Sequence, residues 1–156
     1  MYKKFMRLAY VAAKRSTCLR RNVGAILVKN ENIIGVGFNG PPRIINQCTE
    51  FGCLREAQGI ESGTRQEICR AVHAEQRALL CDSSPQFAML YCTHHPCSIC
   101  ARLLIEADVR KVIYSEGYPD PLAKELFEQA GIPVIQVFQS SKYYAKLKEE
   151  AGQCYS

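Results

Sequence analysis

A three-layer α/β/α sandwich on a mixed sheet of about five strands is the fold this sequence predicts. Two patterns predict it. From residue 71 onward strand-like and helix-like runs alternate, which implies βαβ units and a largely parallel half-sheet. Ahead of them, an amphipathic helix is followed by two β-rich runs with a short polar break between them, which reads as a hairpin.

Each element follows from local chemistry. Tyr2–Lys14 sets Phe5, Leu8, Ala9 and Ala12 on one helical face. Val23–Lys29 and Ile33–Phe38 are the hairpin strands across Asn30–Asn32, and Gly40-Pro41-Pro42 stops the second. Residues 43–70 are irregular, carry three cysteines, and predict a short helix near Leu54–Gln58. His73–Cys81 reads as a buried helix, Phe87–Thr93 as a strand, and Cys97–Ala107 as a helix. Val109–Ser115 is a strand, and Leu122–Ala130 is a helix ended by Gly131. Pro133–Phe138 is the last strand and Lys142–Glu150 a terminal helix.

The 156 residues suffice for one buried core and are few for two. With no repeat, low-complexity tract or Pro/Ser linker, the expectation is one domain over 1–156 with a cysteine-bearing insertion at about 40–70. Hydrophobic residues at 47% and charged residues at 22% exclude a disordered chain. No apolar run is long enough to span a bilayer, and Arg7 interrupts the stretch that would serve as a secretory signal. Nine cysteines without signs of export favour a metal in a reducing compartment over a disulfide framework, so the expected location is the cytoplasm. The net charge of +5 is uneven: residues 1–30 carry eight basic and no acidic residues, the rest 12 basic and 15 acidic. A basic end suits phosphate, nucleic acid or a transit receptor, and equally a solvated helix face.

The chemistry resides in two short stretches, His73-Ala74-Glu75 and Pro96-Cys97-Ser98-Ile99-Cys100, each at a helix start. Cys97 and Cys100 are three apart, so both sulfurs face one side, and a helix N-terminus favours thiolates. Pro96 preorganises the turn into that helix. One imidazole and two thiolates leave a fourth tetrahedral position open, as a catalytic zinc requires. Zinc brings the pKa of its bound water to about 7, and Glu75, two residues past His73, is placed to take a proton from that water and pass it on to a substrate. Separately the pieces are weak. Cys-x-x-Cys also suits half a structural zinc site or a redox pair, and a lone histidine is more often a core residue.

Together they resemble the His-x-Glu…Pro-Cys-x-x-Cys signature of zinc nucleobase deaminases. Lys14-Arg15-Ser16-Thr17-Cys18, Val23-Gly24-Ala25, Gly37-Phe38-Asn39-Gly40-Pro41-Pro42, His73-Ala74-Glu75-Gln76 and Tyr118-Pro119-Asp120 extend the likeness over nearly the whole chain. They resemble the deoxycytidylate (dCMP) deaminase family, with its cytidine deaminase-like fold. Free-cytidine deaminases usually have Cys where His73 stands. Guanine and tRNA-adenosine deaminases usually lack the Gly-Phe-Asn-Gly-Pro loop and the cysteine-bearing insertion. The resemblance implies zinc-dependent conversion of dCMP to dUMP and ammonia, supplying thymidylate synthesis. It also implies dCTP and dTTP as effectors and a homo-oligomer.

By the same resemblance Phe38, Asn39 and Gly40 belong to a nucleotide-contacting loop, and Ala74 and Tyr118 to the pocket. Asn39 also reads as an ordinary turn residue, and Tyr118 as a turn aromatic beside Pro119. Some family members bind a second, structural zinc near this insertion. Cys18, Cys48, Cys53 and Cys69 would supply its ligands here, or else they are packed thiols. Cys81, Cys92 and Cys154 read as structural or incidental. Arg77 departs from the family, which usually has Asn there. It either reaches phosphate or is a solvated or salt-bridged helix residue. The alternative functions are deamination of another substrate (dCTP, a modified cytosine nucleotide or guanine) and a non-catalytic zinc module binding nucleotide or nucleic acid. The intact Glu75 argues against the module. With no Trp and no aromatic–basic run, neither a single-stranded nucleic acid partner nor a membrane is expected.

Overall fold

Side-chain alternation in the first strand decides how the layers stack. In the computed structural model Ala25 and Leu27 enter one core and Ile26 and Val28 the other, on opposite faces of one sheet. The structure describes residues 1–117 and 120–137, together with 145, 146 and 149. Tyr118, Phe138, Cys154 and most of the expected terminal helix lie outside that set.

The elements run α1 (Tyr2–Ala13), β1 (Gly24–Lys29), β2 (Asn32–Phe38), α2 (Cys48–Phe51), α3 (Leu54–Ala57), α4 (Ala74–Leu79), β3 (Met89–His94), α5 (Ser98–Glu106), β4 (Lys111–Glu116), α6 (Pro121–Gln129) and β5 (Val134–Gln136), with a 3-10 turn at Gln66–Ile68. The sheet order is β2-β1-β3-β4-β5. β1 is antiparallel to both β2 and β3, whereas β3, β4 and β5 run parallel, so the sheet is mixed as expected. Helix α1 lays Phe5, Met6, Ala9 and Tyr10 against Ile26, Tyr91 and Ile113 on one face. On the other, Ala74 and Ala78 of α4, Ala101 and Leu104 of α5, and Ala123 and Phe127 of α6 pack on Leu27, Leu90 and Val112.

Some boundaries differ from the sequence expectation, with visible causes. Asn30 and Glu31 both take positive φ, so the hairpin turns in two residues and β2 begins one residue early. Phe87 also has positive φ, 63°, which delays β3 to Met89. The insertion holds two helical turns and a 3-10 turn where one short helix was expected. Among the described residues no helix is long and apolar enough to cross a membrane.

Candidate functional site

The carboxyl end of β3 is where the starts of α4 and α5 meet. An antiparallel bridge between Gly40 and Val72, with N–H···O distances of 3.2 and 2.9 Å, delivers the chain to His73. His73 is the extended N-cap of α4, and its backbone N–H donates to Gln76 Oε1 at 2.8 Å. Gly35 and Gly37 let α4 lie directly on β2. A Cβ at Gly37 would stand 1.9 Å from the Ala74 carbonyl oxygen, and one at Gly35 2.2 Å from that of Ala78.

Cys97 is the N-cap of α5. Asp120 ties this helix start to the next: its Oδ2 accepts from Ser98 N–H at 3.2 Å, and its Oδ1 caps α6 through Leu122 and Ala123. These two helix starts bring His73 Nδ1 to 3.5 Å from Cys97 Sγ and 3.3 Å from Cys100 Sγ. The three ligand atoms all lie within 4.8 Å of one another. A tetrahedral ion bound at 2.0–2.3 Å wants donors about 3.6 Å apart, so the trio fits zinc in both chemistry and spacing.

The charges suit the same ion. A hydrogen bond from Cys100, working against burial and aided by His73, lowers the Cys97 thiol to about 4. Cys100, the donor of that pair and itself buried, is pushed up. His73 is raised by its bond with Cys97 against the pull of burial. Glu75 is buried beside them, at 5% exposure, and that burial raises its carboxyl while His73 opposes the shift. A buried carboxyl that holds a proton more readily than usual is suited to giving and taking one. Asp120 sits below the ordinary carboxylate range: burial opposes its charge, but the N–H groups of Ala123, Ser98 and Leu122 outweigh it.

One cavity opens onto this centre. His73, Ala74, Glu75 and Cys97 lie on its wall together with Asn39. Asn39 is 9% exposed, and its side chain organises the loop before β1. Its Oδ1 accepts from Ser16 Oγ (2.6 Å) and Val23 N–H (2.8 Å), and its Nδ2 donates to the Arg21 carbonyl (2.7 Å). Phe38 and Gly40 do not line the cavity. The Phe38 ring lies between Arg15 and Arg77, at 5.1 and 4.5 Å from its centroid. Arg77 donates to the Gly40 and Pro41 carbonyls at 2.9 and 3.2 Å, so it straps the loop rather than standing solvated. Cys18, from the connection between α1 and β1, and Cys48, Cys53 and Cys69 of the insertion also line the cavity. Burial raises the Cys48 thiol, and the thiols of Cys18, Cys53 and Cys69 raise it further. Among the described residues, however, only His73, Cys97 and Cys100 form a group of three or more whose ligand atoms all lie within 4.8 Å of one another.

Sequence reasoning missed five residues here. Arg20, Arg55, His94 and His95 line the cavity, and Asp120 joins two helix starts. The pair His94-His95 stood directly before Pro96, which was a usable signal. Nothing local marked the two arginines.

A family model described as the cytidine and deoxycytidylate deaminase zinc-binding region matches residues 1–116. The deoxycytidylate deaminase of Schizosaccharomyces pombe is 35% identical over 136 residues, covering 85% of this chain and 42% of its own length. ComE operon protein 2 of Bacillus subtilis is 38% identical over 138 residues, covering 85% of this chain and 69% of its own. A crystal structure of dCMP deaminase from the cyanophage S-TIM5 in complex with dCMP and dUMP superposes with a TM-score of 0.71 at 32% identity, over 86% of this chain and 94% of that one. The chain spans less than half the length of the fungal relative.

Proposed function

The chain belongs to the cytidine and deoxycytidylate deaminase zinc-binding family, and on that premise we propose that it hydrolyses dCMP to dUMP and ammonia, a step that supplies thymidylate synthesis. The observation that carries this is the buried Glu75 beside a His73–Cys97–Cys100 trio of zinc-binding geometry, with Glu75, His73 and Cys97 on the wall of one cavity. Likeness to a structure solved with dCMP and dUMP supports the substrate class.

His73, Cys97 and Cys100 would hold a zinc ion, which would supply Lewis acidity toward water. Glu75 takes a proton from the attacking water and passes it to the ring nitrogen. It then takes the second proton from the added hydroxyl and gives it to the amino group, so that a carbonyl forms, the C–N bond breaks and ammonia leaves. Ala74 lines the cavity, and Asn39, also on its wall, holds the loop before β1. Phe38 and Gly40 belong to the nucleotide-contacting loop, and Tyr118 to the nucleotide pocket.

The finer parts of this reading are a single catalytic domain over 1–156, a homo-oligomer, cytoplasmic location and control by dCTP and dTTP. A second zinc on Cys18, Cys48, Cys53 and Cys69 is a further part. Four thiols around an irregular segment support it, because a structural metal supplies folding free energy that such a segment lacks. Ammonia release across dCMP, dCTP, deoxycytidine and guanine tests the function. Turnover of dCMP with little of the rest is expected, and equal kcat/KM for dCMP and deoxycytidine would overturn the monophosphate assignment.

A further inference from the structure

Two adjacent histidines, His94 and His95, line the cavity beside Glu75, and neighbouring groups fix where each ring carries its proton. Next to His94 is Thr93, which is fully buried. Thr93 Oγ1 accepts from the Gly24 N–H at 3.1 Å and stands 2.9 Å from His94 Nδ1. If His94 Nδ1 also donated to that oxygen, the Thr93 hydroxyl hydrogen would be buried with no acceptor among the described residues, a costly arrangement. The Thr93 hydroxyl therefore donates to His94 Nδ1, and the His94 ring is neutral with its proton on Nε2. His95 is held the other way. Its Nδ1 lies 2.8 Å from the Pro96 carbonyl oxygen, which can only accept, so that nitrogen carries the proton of the neutral ring. Of the pair, His94 is thus the one that presents an N–H on Nε2. Asn39, another neutral polar side chain on the same wall, is already engaged with Ser16, Val23 and Arg21.

We propose that His94 donates its Nε2–H to the ring carbonyl oxygen of the substrate pyrimidine, and that Thr93 is the positioning residue that keeps His94 a donor. The inference rests on the deaminase reading and deepens it by assigning recognition of the ring to the end of β3. A neutral donor matches a neutral carbonyl, whereas a phosphate calls for a cation. The carbonyl is conjugated with the ring nitrogen and with the carbon that water attacks. A hydrogen bond to it draws electron density from that carbon and strengthens as the attack loads the ring with charge. The same oxygen survives in dUMP, so product satisfies the donor as substrate does. Without the Thr93 hydroxyl, Nδ1 and Nε2 compete for the proton, and a ring protonated on Nδ1 would turn a lone pair toward the carbonyl.

Nitrogen NMR of histidine-labelled holoenzyme tests this, together with kinetics at matched zinc content on dCMP and on 2-thio-dCMP, whose ring sulfur accepts weakly. In wild type at neutral pH the His94 ring should read as the Nε2–H tautomer, and added dUMP should shift that nitrogen. A ring protonated on Nδ1, or an Nε2 that dUMP leaves unmoved, overturns the proposal. His94→Leu should lower kcat/KM for dCMP by roughly tenfold or more and leave 2-thio-dCMP nearly unaffected, and His94→Gln, which keeps a donor, should recover part. Thr93→Val should lose the tautomer preference and much of the rate, and Thr93→Ser should restore both. Adding Thr93→Val to His94→Leu should cost no more than His94→Leu alone. Equal losses on both substrates, or additive losses in the double variant, would show the two residues acting on the fold instead of the ring carbonyl, and overturn the proposal. If dCMP is turned over and His94→Leu matches wild type, the proposal falls while the deaminase reading stands. If wild type turns over no cytosine compound, the deaminase reading falls and takes the proposal with it. Should Thr93→Val fail to fold, the wild-type NMR and His94→Leu on the two substrates decide the question.

Discussion

Gly37→Ala is a one-methyl perturbation aimed at the distance between β2 and the helix that carries His73 and Glu75. The added Cβ would meet the Ala74 carbonyl oxygen at 1.9 Å and the Ala78 nitrogen at 2.7 Å, and both are backbone atoms. Restoring ordinary contact requires α4 to withdraw by about 1.5 Å. Overpacking of this kind costs about 1–3 kcal/mol, which for a chain this size lowers Tm by roughly 3–10 °C. The active-site consequence is larger, because a displacement of about 1 Å in a reacting group costs on the order of 10²-fold in rate. Gly35→Ala is the control. Its Cβ meets the Ala78 carbonyl oxygen at 2.2 Å, toward the end of α4 away from His73, so a similar loss of Tm should accompany a smaller loss of kcat. The assay pairs thermal melts with ammonia release at matched zinc content. Wild-type Tm and turnover in Gly37→Ala would refute the close-approach argument. Equal loss of kcat in both variants would refute the claim that α4's first turn is the sensitive part.

Arg77→Ala removes two hydrogen bonds to the Gly40 and Pro41 carbonyls and the stack on Phe38, and should cost about 1–3 kcal/mol in urea unfolding, with Arg77→Lys recovering only part. An unchanged midpoint would show the strap to be idle. Asp120→Ala removes the α6 cap and the tie to Ser98, for about 0.5–2 kcal/mol at pH 7. Because the folded-state pKa of Asp120 is depressed, its charge-dependent contribution is present above the unfolded pKa and is lost as pH falls through the folded one. The gap between wild type and variant should therefore narrow toward pH 3, and a gap that widens there would contradict the assignment. Wild type should carry two zinc ions per chain. Cys53→Ser should carry one and expose residues 43–70 to protease, whereas one zinc in both would leave those cysteines as packed thiols.

The parts of the fold that could be read in advance were those with short-range causes. Period-two alternation through Ala25–Val28 and the polar turn at Asn30 and Glu31 announce the hairpin, and the Pro-Cys-x-x-Cys and His-x-Glu spacings announce helix starts with ligands on them. Strand order is different in kind. That β1 lies between β2 and β3 depends on pairing such as Ala25 with Cys92, which no local window contains. The cavity wall was hidden for a similar reason. Arg55 sits on a four-residue helix in an irregular segment, and only its burial and its bond to the Glu61 carbonyl reveal that it is not a surface charge. Arg77 was visible as an oddity, but its role needed the carbonyls of Gly40 and Pro41 to be found above it.

The central claim is that Glu75 moves protons for a zinc held by His73, Cys97 and Cys100. Its most direct test is ammonia release from dCMP by wild type and Glu75→Ala at equal, measured zinc content. Zinc retained on the trio with turnover reduced by roughly 10²-fold or more is the predicted result. Turnover near wild type at full metal content would contradict it and move the proton shuttle to another residue.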